Sequence, residues 1–329
     1  MSHPEIIIPF SLPPAEHAKD LVKMLASECG TDGLAMLLSR HQTLKRTHFD
    51  DFSPELPHET WLTKTQQHSN LQQQASTLGV ELTAGHWFIL NPVHLHIARN
   101  HLVLTDYRQL ALSEPDSILL YQKAQALCEE VGLELVYGNA TSWFLRANDW
   151  ADFATSTPDA ACGHNIEIWS AKGQKELAWR KLQNEIQMEW FIHPLQEQRE
   201  RRAEKVVNGL WLWGGTALKN GFKAEQIKPA SPAHSVENFI LTPQLTVLDQ
   251  LSAAALANDW GTWAAGMIEL ERSWFKPLYT ALKDRKLKQL HLHLSNSNTL
   301  LSVQTSGNAL RKFWCVPTLK NLIDTSRAS

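Results

Sequence analysis

The polar chemistry open to this chain rests on two histidine pairs and a scatter of arginines and aspartates. His94 and His96, and again His291 and His293, stand two apart in stretches that alternate as strands do. Residues i and i+2 of a strand point the same way, so each pair could present two imidazoles to one metal ion. Brought together, the pairs would make a four-histidine site; the competing reading makes them solvent faces of half-buried strands whose leucines point inward. Asp106 and Arg108 sit between a predicted strand and a helix, where a surface ion pair is one reading. Asp249 falls at the end of another predicted strand. No Cys–His–Asn or Ser–His–Asp set can be picked out, and Gly214-Gly215 alone is not a phosphate-cradling loop.

The elements that must position these groups are organised around Trp179 to Gly215. Trp179, Leu182, Ile186 and Trp190 recur at helical spacing with polar residues between them, which predicts an amphipathic helix. His193-Pro194 ends it, because the residue before proline is pushed out of the α region. A charged segment, 196–205, predicts a second short helix carrying Arg199. Residues 206–213, including Asn208, then read as a nearly continuous apolar strand closed by Gly214-Gly215. A strand apolar on both faces is a central strand covered on both sides, and its exit is where open α/β sheets place ligands.

Elsewhere, Glu5 to Ile8 predicts a first buried strand stopped by Pro9. The pattern dissolves over 45–76, with a glutamine-rich run at 66–74, and reads as a polar excursion or loosely packed helices. Two strands in a hairpin are predicted around 93–97 and 102–104. A helix begins at Ser113-Glu114-Pro115-Asp116, with a hydroxyl cap, an early proline and an acid. Strands at 133–137 and 143–146 complete an α+β unit. Later come a loop-rich stretch at 217–238, a strand at 245–248, and a helix stepping through Trp260, Trp263, Met267, Leu270 and Trp274, broken near Pro277. A hairpin at 290–294 and 300–303 follows, and 311–317 reads as a last strand or capping tail.

Composition sets outer bounds. The chain has 329 residues, 43% hydrophobic and 20% charged, the balance of a globular protein with room for a core. A net charge of −3 argues against a nucleic-acid partner. The thirteen tryptophans fall mostly on apolar faces and read as core anchors. Four scattered cysteines, no signal-peptide pattern and no apolar run of roughly 20 residues predict a cytoplasmic chain with free thiols and no membrane.

The helix, the His-Pro step, the Arg-rich turn and N-x-L-W-L-W-G-G of the central stretch resemble archaeal-type cofactor-independent phosphoglycerate mutases. They resemble more closely the RpfE-type regulatory family, often labelled phosphoglycerate mutase; the resemblance covers most of 86–216. It implies an alkaline-phosphatase-like α/β fold, with an open, mostly parallel sheet built from the strands at 5–8, 206–213 and 245–248. The implied division is 1–85 and 147–329 for the core, with an inserted α+β subdomain at 86–146. The mutases use a hydroxyl nucleophile beside two metals held by Asp and His. Here Pro9 to Pro14 replaces their acidic turn, and alanine stands where a histidine would follow Asp249. Asp106 and Arg108 match an arginine-rich anion-recognition segment in part, and Arg199, Asn208, Gly214 and Gly215 match the family pattern. His193 could be a helix-terminal cap rather than an acid–base group.

The expectation is a catalytically degenerate scaffold, regulatory or binding a small phosphorylated or carboxylate ligand, with no cofactor and an unspecified protein partner. An active mutase or related phosphotransferase using Mn, Zn or Mg is the alternative. A second alternative is an interaction protein using an exposed Trp face on the 260–274 helix.

Overall fold

The computed structural model describes residues 4–98, 100–227, 235–242 and 244–323. Its strands, in chain order, are β1 (Glu5–Ile8), β2 (Thr43–His48), β3 (Gly85–Val93), β4 (Leu95–Ala98), β5 (His101–Leu104), β6 (Glu134–Asn139), β7 (Ser142–Arg146), β8 (Gly209–Leu218), β9 (Leu245–Val247), β10 (Gln289–Ser295) and β11 (Thr299–Ser306). The chain divides into two compact units, one of Met1–Phe52, Leu56–Trp61 and Ala230–Ser329, the other of Ser53–Glu55 and Leu62–Pro229. Both combine helices with sheet, so the α/β class stands. No described helix is long and apolar enough to cross a membrane.

The first unit is built on a mixed sheet in the order β2-β11-β10-β1-β9. Ile6, Ile7 and Ile8 are completely buried in β1, which lies parallel to β9 on one side and β10 on the other. The β10–β11 hairpin forms as expected, and β2 adds to its outer edge antiparallel to β11. Sequence pattern missed β2: with Leu44 its one apolar side chain, it shows no buried stripe, and β11's backbone recruits it. The helix Ala18–Cys29 buries Leu21, Val22 and Leu25.

The tryptophan helix runs Trp260–Leu270, passes through a π turn at Glu271–Phe275, and resumes at Lys276–Lys283. The wider turn falls just before Pro277, which has no N–H to donate and whose ring would clash with a regular α turn, so the kink or break expected there takes the form of a π bulge. Trp263 and Trp274 are buried, with Met267 and Leu270 beside them. The face expected as an exposed interaction surface therefore points into the core of its own unit.

The second unit corrects the sheet assignment. The strand at 206–213 does not join β1 and β9; it becomes β8, at the edge of an antiparallel sheet ordered β6-β7-β3-β8. The 86–146 segment therefore does not complete a sheet by itself, because β8 pairs along β3. The apolar run is covered on both faces, but it lies at the sheet's edge rather than its centre and continues through Gly214-Gly215 to Leu218; two faces of cover specify neither a central place nor a parallel neighbour. Leu210 and Leu212 pack with Trp179, Leu182, Ile186 and Trp190 of the helix Glu176–Phe191. Leu218 and Trp213 pack on the opposite cluster with Leu71, Trp87 and Phe144. The β4–β5 hairpin and the helix Glu114–Glu130, capped by Ser113, form as the sequence predicts. The polar excursion holds β2 and the helices Pro57–Gln66 and Asn70–Leu78, the second opened by a Ser69–Gln72 capping box. Of the loop-rich stretch at 217–238, residues 228–234 lie outside the described residues.

Candidate functional site

The carboxyl ends of β1, β9 and β10 are where an α/β sheet offers a ligand crevice. The chain leaves β1 through Phe10, held at φ 55, a left-handed conformation that costs a bulky residue free energy. Trp263 Nε1 donates to the Phe10 carbonyl at 2.7 Å, and the His58 ring meets Phe10 edge-on at 5.5 Å. Ser11 Oγ donates to the Ile8 carbonyl at 2.6 Å, and Leu12 N donates to the Ser295 carbonyl at 2.9 Å. Ser295 Oγ lies 3.2 Å from His58 Nδ1. A serine–histidine pair is the arrangement that activates a nucleophile, but Ser295 is 0% and His58 5% exposed, so a substrate cannot reach the hydroxyl. Asp249 stands exposed just past β9, its backbone carbonyl accepting from Ser252.

In the second unit the candidate cations are enclosed by acids. Arg108 Nε donates to Asp106 Oδ1 at 2.8 Å, while its two terminal nitrogens grip Asp159 at 2.7 and 3.2 Å. The Tyr107 ring lies against the guanidinium. Burial works against this charge, yet Asp159, Tyr107 and Asp106 raise its pKa above the ordinary arginine value. Arg199 is wholly buried. Its Nε donates to the Lys205 carbonyl at 2.9 Å and Nη2 to the Leu110 carbonyl, while Nη1 faces Glu204 at 3.1 Å and Asp116 at 3.6 Å. Burial lowers this guanidinium's pKa, opposed by Glu204 and Asp116.

Asn208 is equally committed. Its Oδ1 accepts from Leu95 N at 2.7 Å and its Nδ2 donates to the Leu95 carbonyl at 2.8 Å, as a strand neighbour would. His193 caps the helix Pro194–Arg201, its Nδ1 accepting from Leu195 N at 3.2 Å. It thus serves the start of the second helix rather than the end of the first. The family-like residues Arg199 and Asn208 fasten the turn between that helix and β8.

The glycine pair forms a β-bulge. The β3–β8 register slips between Trp87 and Ile89, where Gly214 and Gly215 stand opposite Phe88. Gly214 adopts φ +70, and a Cβ on Gly215 would come 2.7 Å from the Phe88 ring. A small polar recess of about 140 Å³ lies beside it, lined by Asn70, Thr155 and Thr216 among others. His193 and Asn208 meet in a larger open groove of about 1100 Å³. Met188, Phe191 and Ile192, which line it, are 71, 84 and 74% exposed.

The two histidine pairs lie in different units and are not brought into a four-histidine site within either. His94 falls between β3 and β4, with Nδ1 2.8 Å from the Val206 carbonyl; burial lowers its pKa. His96 is exposed and reaches Thr105 Oγ1 at 3.2 Å. His291 and His293 share a face of β10, and Glu5 stands in register with His291 on the adjacent parallel β1. One ligand atom from each of Glu5, His291 and His293 lies within 4.8 Å of the others. Glu5 gave no signal in the sequence, since only the pairing of the first and tenth strands makes it a neighbour.

No protein-family model matches this chain, and no curated protein does. Among solved structures, a cofactor-independent phosphoglycerate mutase from Thermoplasma acidophilum is similar over 97% of this chain and 94% of its own, with 12% identity and a TM-score of 0.38. The PH0037 protein from Pyrococcus horikoshii is similar over 93% of this chain and 88% of its own, with 11% identity and a TM-score of 0.48.

Proposed function

We propose that this chain is a phosphoglycerate-mutase-like protein that binds or regulates and does not transfer phosphate. The observation that carries this reading is the filled carboxyl edge of the parallel strands. Two-metal phosphoryl transfer needs an accessible hydroxyl among anionic ligands. There the Ser11 and Ser295 hydroxyls are buried and hydrogen-bonded among Phe10, Leu12 and Trp263. The arginines that would recognise phosphate are occupied: Arg108 by Asp106 and Asp159, Arg199 by Asp116 and Glu204. This favours the exposed apolar groove at Met188, Phe191 and Ile192 over a small-anion pocket as the binding surface. The test is interconversion of 3- and 2-phosphoglycerate with the purified full chain and added Mn²⁺, Mg²⁺ or Zn²⁺. The expected result is no turnover with any of them; turnover that a chelator abolishes and metal restores would return the chain to the active mutases.

A further inference from the structure

We propose that Glu5, His291 and His293 bind a single divalent transition-metal ion, zinc by the character of the donor set, on one face of the five-stranded sheet. The site goes beyond the non-catalytic reading above, because it lies along the strands and not at the packed ends where phosphoryl transfer would occur.

The strands impose the arrangement. Glu5 and His291 are register partners across a parallel pair, and His293 projects from the same face two residues further along β10. Two imidazoles and a carboxylate are a recognised zinc set, leaving a fourth position for water. The ligand atoms lie within 4.8 Å of one another, with His291 Nδ1 3.7 Å from the Glu5 carboxylate, against roughly 3.3 Å between ligands around a tetrahedral zinc ion. Closing that gap takes rotation of Glu5 and His291, whose side chains are 25 and 24% exposed.

Neighbouring hydrogen bonds select the nitrogens that would bind. His293 Nδ1 pairs with Ser302 Oγ at 2.9 Å, while Nε2 is buried without a hydrogen-bond partner. Leaving such an atom unsatisfied costs about 1–3 kcal/mol, and His293 is 94% buried, so water from bulk does not satisfy it. The Trp61 ring, 4.1 Å from the imidazole and tilted by 37°, fixes the ring plane. On His291, Nδ1 lies 3.7 Å from the Glu5 carboxylate and Gln289 Nε2 lies 2.5 Å from Nε2; turning that amide so that its oxygen accepts from Nε2–H leaves the Nδ1 lone pair for the metal. Partners on the far nitrogen are how metal-binding imidazoles are oriented.

The experiment uses untagged full-length protein stripped with a chelator and titrated with Zn²⁺ against a chromophoric competitor, with Co²⁺ spectra as a second readout. One ion per chain, and cobalt bands of a four-coordinate nitrogen–oxygen site, are expected. Glu5→Gln and His293→Gln should each weaken binding at least tenfold, while His96→Gln should leave it unchanged. Circular dichroism establishes that each variant folds; should His293→Gln fail, Glu5→Gln and His291→Gln, at partly exposed positions, decide the matter. Absence of specific binding in the parent chain overturns the site. So does binding that survives all three ligand substitutions. Mutase turnover would count against the proposed function and not against this site; a lost ion without turnover would do the reverse.

Discussion

The two units surround their buried ionisable groups differently. In the second, each cation of interest is met by acids: Arg199 by Asp116 and Glu204, Arg108 by Asp106 and Asp159. Asn208 there takes both hydrogen bonds of one backbone residue. In the first unit a buried imidazole keeps a nitrogen without a hydrogen bond, beside another histidine and a carboxylate. Burial stabilises polar groups only when partners are supplied. Arg199 Nη1 and Glu204 Oε2 also lack a hydrogen bond but face each other at 3.1 Å as an ion pair, whereas the neutral His293 Nε2 has no opposite charge to offset its burial. The repeated H-x-H motif illustrates the same contrast, since His94 and His96 bond to backbone and a threonine, while His291 and His293 face Glu5.

The largest effect should come from breaking the closed network. Arg199→Met leaves Asp116 and Glu204 without their buried partner and should cost about 3–5 kcal/mol in urea unfolding. Arg201→Met, which removes an exposed pair with Glu197, should cost less than about 0.5 kcal/mol. Equal losses would erase the distinction between buried and surface charges within the second unit.

Acid should expose the open one. His293 binds its proton at about 4 when folded and at 6.5 when unfolded, so the unfolded state holds more protons between those values. Stability contributed by the neutral ring is therefore present above pH 6.5 and lost as pH falls toward 4. The difference amounts to about 3 kcal/mol. Unfolding curves of metal-free protein from pH 7 to 4 should show this loss, and His293→Gln should lack it. An identical pH dependence in that variant would mean the ring is not held neutral.

Next in size is the bulge. Gly214→Ala forces a Cβ into φ +70 and should cost about 1–2 kcal/mol, read as a lower urea midpoint. No loss would mean that β8 can pair without slipping register. Smallest is Phe191→Asp in the groove: at 84% exposure it should change stability by no more than about 0.5 kcal/mol. A large loss there would show that the groove's apolar rim supports the fold and is not a surface held open for a partner.

Much of the second unit was legible as local pattern. The buried stripe Trp179, Leu182, Ile186 and Trp190, the Ser113 cap and the β4–β5 hairpin depend on neighbours within a few residues, and they formed as read. Strand partnership was not legible. The apolar run ending in Gly214-Gly215 specified a strand covered on both faces, and nothing local distinguished a parallel β1 from an antiparallel β3 as its neighbour. β2 escaped notice because its pairing energy comes from β11's backbone rather than from its own side chains. The tryptophans of the 260–274 helix had the right period, but which way that face pointed depended on the core it met.

By itself the sequence determined helix caps and buried stripes, because caps, prolines and hydrophobic period act over a turn or two. It also determined that imidazoles come in pairs. Only the tertiary structure decided that Glu5 would stand beside His291, nearly three hundred residues away along the chain. It alone decided that Arg108 and Arg199 would be enclosed by acids rather than left to a ligand. Those outcomes depend on long-range pairing and on burial, and neither is encoded in the spacing of neighbouring residues.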